Sequence, residues 1–274
     1  MNDHSLRLKI GGITFAVHTP AADWLAMLSD RYQLFSATDA PVWEVTLRAE
    51  SGMERADPPW ASHGETTTTF HVAYSRGTID LTSRTAEVYA PAAQYGPAAM
   101  DRVLAFICTY DLPRRHDSLL LHGAAMVRRG HGLALSGRSG VGKTTASRVA
   151  AGHAQVLTDE NLILSLAGGQ PMLHSTPFWG ASTPPEMIRR VNVRAPLRAL
   201  LLLEHGPDFR LERLSDGDAV LALLTTEKLA VERVSSAVAW LEVAQRLVAT
   251  VPTYRLYSLP TVDLWPFLDR ELEL

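Results

Sequence analysis

The stretch GLALSGRSGVGKTTASRVAAGHAQVLTDE, running from Gly132 to Glu160, decides how the rest of the chain is read. Within it Gly137, Arg138, Ser139, Gly140, Val141, Gly142, Lys143 and Thr144 satisfy the phosphate-loop pattern G-x-x-x-x-G-K-[ST], and Thr145 continues it. The setting agrees with the pattern. Apolar Leu133-Ala134-Leu135 leads in as a strand, and Thr144 to Ala151 reads as a helix. Glycines let backbone N–H groups turn inward around an anion where a helix begins. Lys143 then reaches the β- and γ-phosphates of a nucleoside triphosphate, and Thr144 holds Mg²⁺. The alternative is an ordinary glycine-rich turn, which the complete pattern between strand and helix argues against.

Outward from this loop, the whole chain sets the bounds. At 274 residues and 30.0 kDa it has room for one large domain or two smaller ones, each with a real core. A net charge of −3 and a pI near 6.4 carry no nucleic-acid footprint, so no nucleic-acid partner is expected. The single cysteine, Cys108, lies in apolar Val103 to Cys108 and reads as a buried core thiol. Disulfides within the chain and metal–thiolate clusters are thereby excluded. No secretory signal pattern and no apolar run of 18 residues is present, and the expectation is a soluble cytoplasmic protein with no membrane partner.

Before the loop, Leu6 to Ile10, Gly11-Gly12 and Ile13 to Val17 spell a β-hairpin. Pro20 to Tyr32 reads as a helix, and Trp43 to Leu47, Thr68 to Tyr74 and Gly77 to Leu81 read as strands. Ser51 to Glu65, with Gly, two prolines and mixed charge, reads as a surface loop. Pro91 to Tyr110 reads as a helix that Leu112-Pro113-Arg114-Arg115 breaks, and the domain boundary is placed there: 1–112 and 113–274. From Leu119 to Val127 a largely apolar strand turns at Gly130-His131-Gly132 into the strand before the loop. Val156 to Thr158 and Asn161 to Leu166 are short strands bracketing Asp159-Glu160. Leu197 to Leu203, Phe209 to Leu214 and Tyr254 to Tyr257 are further strands; Asp216 to Leu224, Ala230 to Ala249 and Asp263 to Leu268 are helical. There is no internal repeat.

Several residues near the loop carry possible chemistry. Asp159 and Glu160 follow Lys143 closely at a strand end, where a carboxylate holds Mg²⁺ or takes a proton from an attacking hydroxyl; a polar surface turn is the bland reading. His122 interrupts an apolar strand predicted to lie beside the loop strand. It is either a satisfied core histidine or, near a phosphate and two carboxylates, a protonated group that stabilises charge. Thr176-Pro177-Phe178-Trp179-Gly180-Ala181 either lines a pocket or caps the core. Arg189, Arg190 and Arg194 either pair phosphates or an acidic substrate, or form a solvated face. His116, His131, His153, His174 and His205 have no regular metal spacing.

Taken together, Leu121-His122-Gly123-Ala124, GRSGVGKTT at 137–145 and Val156-Leu157-Thr158-Asp159-Glu160, in that order and at those spacings, resemble the catalytic domain of HPr kinase/phosphorylase. More closely they resemble the smaller HPr-kinase-related serine kinases, including those that modify lasso peptide precursors. The resemblance covers roughly residues 115 to 260. It implies an α/β fold: a P-loop catalytic domain with a mixed sheet, preceded by a smaller β-rich α+β N-terminal domain that recognises the acceptor. It implies a phosphotransferase dependent on Mg²⁺ and on ATP or another nucleoside triphosphate, whose partner is a peptide or small protein with an acceptor serine. His122, Lys143, Asp159 and Glu160 are then catalytic, with Asp159 matching the residue given the base role. Gly137 to Thr145 bind the nucleotide, and Thr144, Asp159 and Glu160 hold the metal. Glu160 stands where HPr kinases have Asp, and the segment accompanying phosphorylase activity is not found, which puts reversal and HPr as substrate in doubt. The family's hexameric assembly is not carried over, and a monomer or a small oligomer is left open. An ATP-sensing regulator without transfer and a small-metabolite kinase are the competing readings.

Overall fold

A computed structural model describes residues 4–138, 140–150, 152–180, 183, 190–226, 234–259 and 261–274. It is a mixed α/β protein with two sheets, dividing into two compact units, Met1–Cys108 and Thr109–Leu274.

In the first unit the expected hairpin forms from β1 (Ser5–Ile10) and β2 (Ile13–His18), with both turn glycines at positive φ. Helix α1 (Ala22–Tyr32) follows, and then β3 (Trp43–Ala49), which pairs parallel to β2. Next come β4 (Ala56–His63), β5 (Thr67–Ala73), β6 (Ser75–Asp80) and β7 (Thr85–Ala90), and the sheet order is β1-β2-β3-β7-β6-β5-β4. Trp24 and Leu28 of α1 are buried with the sheet residues Phe15, Trp43, Val45 and Leu47.

Three expectations are corrected here. Ser51 to Glu65 is not all loop, because Ala56–His63 pairs with β5 as an edge strand. Pro58 and Pro59 can sit there because an edge strand has one side without ladder partners, and the register shifts between Ala56 and Trp60 around them. Strand β7, absent from the sequence reading, is a short alternation with Ala86, Val88 and Ala90 buried. Helix α2 (Gly96–Arg115) continues through Pro113. That proline lacks an N–H for Thr109, but it falls in the last turn, where one lost bond does not end the helix; the Arg114 guanidinium donates to the Tyr110 carbonyl at 2.8 Å.

The second unit is built on β8 (Ser118–Arg128), whose residues pair with three strands. It pairs antiparallel with β9 (His131–Ser136), with β10 (Gln155–Thr158) near its C-terminal end and with β11 (Asn161–Ser165) near its N-terminal end. Strand β11 pairs with β12 (Met172–His174), and β12 with the start of β13 (Arg194–His205). Further along, β13 runs parallel to β9 and to β15 (Thr253–Ser258), which carries the edge strand β14 (Arg210–Arg213). The pairings β8-β11-β12-β13-β9-β8 therefore close on themselves.

One side of this sheet is covered by α4 (Asp216–Thr226) and α5 (Val234–Thr250), whose Leu223, Trp240, Val243 and Leu247 bury Leu200 and Leu202. The other side is covered by α3 (Lys143–Val149) and α6 (Leu264–Glu271), with Ala146, Leu264, Trp265 and Leu268 against Leu133, Leu135 and Leu201. The alternation of Leu200 to Leu203 between two cores is the period-two signature of a strand buried on both faces. Residues 230–233 of the expected helix Ala230 to Ala249, and Ala151 of the expected loop helix, lie outside the described residues.

Candidate functional site

Strand β9 ends at Ser136 and the chain turns through Gly137, Arg138, Gly140, Val141 and Gly142 into α3. Ser139 of the expected phosphate cradle lies outside the described residues. Gly142 takes φ 102°, ψ 16°, a left-handed conformation that side chains rarely adopt. The loop crosses the backbone of β13, so that a Cβ on Gly137 would lie 3.0 Å from the Leu203 carbonyl oxygen. Lys143 is buried, and its ammonium donates to the carbonyls of Gly137 at 2.7 Å and Arg138 at 3.1 Å. The lysine thus folds over its own loop, with its charge at the loop's inner side. Thr144 and Thr145, the next two residues, are half-buried at the start of α3, whereas Arg138 is exposed.

The acidic pair occupies the turn between β10 and β11, as expected, and the two carboxylates meet different surroundings. Asp159 is 3% exposed; the Thr183 hydroxyl stands 2.8 and 2.7 Å from its two oxygens, and the Gly180 N–H donates to Oδ1 at 3.2 Å. Glu160 has a side chain 41% exposed and stands 3.7 Å from Nδ1 of His122. Partial burial, then the neighbouring Asp159, raise the Glu160 carboxyl above its ordinary value, against the opposing pull of Lys143.

His122 sits on β8 directly opposite Asn161, the first residue after the acidic turn. Burial, then Lys143, push its imidazole below the ordinary value, while Glu160 and Asp159 pull the other way. That direction favours the uncharged ring, the opposite of the protonated alternative that the sequence left open beside a satisfied core histidine. Gly123, the next residue, donates its N–H to the Glu160 carbonyl at 2.9 Å and lies so close to β9 that a Cβ would be 2.3 Å from the Leu135 carbonyl oxygen. Gly123 pairs with Ser136, the last residue of β9, and the Ser136 hydroxyl donates to the His122 carbonyl at 3.0 Å, so the histidine and the acidic turn stand at the end of β9 where the loop begins.

The segment after β12 caps the core, one of the two roles the sequence left open, and is also tied to the acidic turn. Phe178 and Trp179 are buried and cap the core, Trp179 in the cluster of Val141 and Ala146. Thr158 donates to the Phe178 carbonyl, and Thr176 donates to the Asn161 carbonyl, tying the segment to the acidic turn on both sides. Thr183, the partner of Asp159, went unnoticed in the sequence, where it stands alone in a polar stretch with no spacing to mark it. Ala181 and Arg189 lie outside the described residues.

Arg194 is far from the loop. Leu202 pairs with Ser136 at the end of β9, and Arg194, eight residues earlier on β13, starts that strand roughly 26 Å away. It lowers the pKa of His174 and does not reach the phosphate side. Among the described residues, no group of three or more His, Cys, Asp or Glu is arranged to hold a metal ion. Asp159, Glu160 and Thr144 carry hard oxygen donors of the kind Mg²⁺ takes, one or two carboxylates with phosphates and water completing its shell. No described helix is long and apolar enough to cross a membrane.

Fold and site define a two-sheet α/β protein in which a glycine-rich loop with a lysine faces an acidic turn. The family model described as "ScmC: SynChlorMet cassette protein ScmC" matches residues 98–272, and the chain belongs to that family. Among solved structures, the chain is similar to the Hpr(Ser) kinase/phosphatase from Coxiella burnetii at 15% identity and a TM-score of 0.31, over 56% of this chain and 87% of that one. No curated protein matches it.

Proposed function

We propose that the second unit is a P-loop kinase domain of the HPr-kinase-like type, which binds ATP and transfers its γ-phosphoryl group to a serine hydroxyl of a peptide or small protein, such as a ribosomally made peptide precursor. The observation that carries this reading is that His122, 3.7 Å from Glu160, also receives on its carbonyl the hydroxyl of Ser136, the residue that opens into the glycine-rich loop, at 3.0 Å. Gly137 to Thr145 cradle the polyphosphate, and Lys143 leaves the carbonyls of Gly137 and Arg138 to neutralise charge developing on the transferred group. Thr144 and a carboxylate of the pair would hold Mg²⁺, which would supply charge neutralisation at the phosphates.

Of the two carboxylates, Glu160 is the one open to an incoming hydroxyl, while both oxygens of Asp159 already face Thr183. The reading gives proton acceptance to the pair, with Glu160 at its acceptor side and Asp159 held rigid behind it; His122, 3.7 Å away, orients Glu160. Transfer breaks the bond between the γ-phosphorus and the bridging oxygen. It forms a phosphorus–oxygen bond to serine, releases ADP, and moves the hydroxyl proton to the carboxylate.

The test is incubation with γ-labelled ATP, Mg²⁺ and a panel of serine-containing peptides, beside free serine and small hydroxylated metabolites. Label on a peptide supports the reading. Label on a metabolite alone makes the chain a small-molecule kinase, and tight ATP binding with no labelled acceptor makes it a regulator.

A further inference from the structure

The site as described accounts for the phosphates and the acceptor, and the strand order says where the other end of the nucleotide lies. Strand β9, which feeds the loop, stands between β8 on one side and β13 on the other, and β13 is followed by β15; β9, β13 and β15 are parallel, so their C-terminal ends lie at the same edge. In parallel sheets that edge is where ligands bind. The acceptor groups His122, Asp159 and Glu160 all belong to the β8 side. A triphosphate lying across the loop with its γ end toward them points its nucleoside toward the ends of β13 and β15.

Those ends carry a matching surface. His205 closes β13 and is exposed, and by alternation it shares the face of Leu201 and Leu203, the face covered by α3 and α6. Its Cε1 lies 4.0 Å from a Cβ built on Gly142, so the ring borders the last loop residue before Lys143. His205 pairs in register with Ser258, and the chain leaving Ser258 presents Leu259 and Val262, both apolar and both exposed, before α6. An exposed flat ring bordering the phosphate loop, with two exposed aliphatic side chains on the chain that leaves the neighbouring strand end, suits an aromatic base, which stacks on rings and packs on apolar groups.

Resting on the nucleoside triphosphate reading above, we infer that His205, with Leu259 and Val262, forms the nucleobase platform of the site, on the side of the loop opposite the acceptor. His205 holds the base by stacking and contributes nothing to the phosphates.

Calorimetric titration with Mg²⁺ and either ATP or inorganic tripolyphosphate tests this, because the second ligand has the phosphates and no base. The wild-type chain should bind ATP more tightly than tripolyphosphate. His205→Ala should weaken ATP roughly tenfold, within the range for loss of one base stack, and leave tripolyphosphate unchanged; His205→Phe, which keeps a flat ring, should retain most of the ATP affinity. An equal loss for both ligands, an unchanged ATP affinity in His205→Ala, or a loss in His205→Phe as large as in His205→Ala overturns the platform. If the wild type binds tripolyphosphate and ATP equally, the platform fails while the loop reading stands. If it binds neither, the loop reading itself fails.

Discussion

Removing the hydroxyl of Thr183 tests whether the acidic turn is held as the structure describes. Thr183 places one hydroxyl 2.8 and 2.7 Å from the two oxygens of Asp159, which is 3% exposed. Thr183→Val keeps the shape of the side chain and leaves that carboxylate with the Gly180 N–H, 3.2 Å away, as its remaining described donor. A hydrogen bond to a charged group is worth about 1.5–3 kcal/mol, and a buried acceptor left short of partners costs a similar amount. The expected loss is about 2 kcal/mol, or about 4–8 °C in the melting temperature of a unit this size. Thr183→Ser, which restores the hydroxyl, should recover most of it. Urea unfolding followed by circular dichroism reads the difference, and in the Asp159→Asn background the cost of Thr183→Val should shrink by about 1 kcal/mol. If Thr183→Val unfolds at the same urea concentration as the wild type, Asp159 is not held by this residue and its rigid role is wrong.

Other expectations concern the same unit. Gly123→Ala drives a methyl against the Leu135 carbonyl at 2.3 Å, where backbone on both strands has to part; a loss of about 1–3 kcal/mol is expected, read as a lowered unfolding midpoint. In a transfer assay Glu160→Gln should lower kcat by about 10²–10⁴ with a small change in ATP affinity; an unchanged kcat removes Glu160 from the acceptor side. His174 is pushed below its ordinary pKa by burial and then by Arg194, and it shares a 2.7 Å hydrogen bond with Ser165. Between its folded value and about 6.5 the unfolded chain binds the proton more readily, so stability rises with pH across that window and falls as pH drops through it. His174→Gln should flatten that part of the stability–pH curve, and an unchanged slope assigns it to other groups.

What the sequence made legible was whatever is local. The phosphate pattern, the apolar strand before it and the acidic pair after one short helix are each written within a few residues, and β8, β9, β10 and β11 stand where the short apolar runs put them. What escaped depends on long-range pairing. Ala56–His63 is a strand only because β5 offers it an edge, which composition with two prolines conceals. The helix survives Pro113 because of where in the last turn it falls. The downward push on His122 comes from burial and then Lys143, and the tether on Asp159 comes from Thr183, 24 residues away; neither pairing has a signature in the chain. His205 stands in the sequence as one of several irregularly spaced histidines, and its nearness to Gly142 comes from β13 running parallel to β9.

The central claim is that this loop and its acidic neighbours move a phosphoryl group to serine. Tandem mass spectrometry of a serine-containing peptide after incubation with the chain, ATP and Mg²⁺ measures it directly, beside a parallel sample of Lys143→Ala. The account predicts phosphate on a serine oxygen with the wild-type chain and none above background with Lys143→Ala. Phosphoserine formed equally by both proteins, or ATP bound with every offered acceptor unmodified, would contradict it.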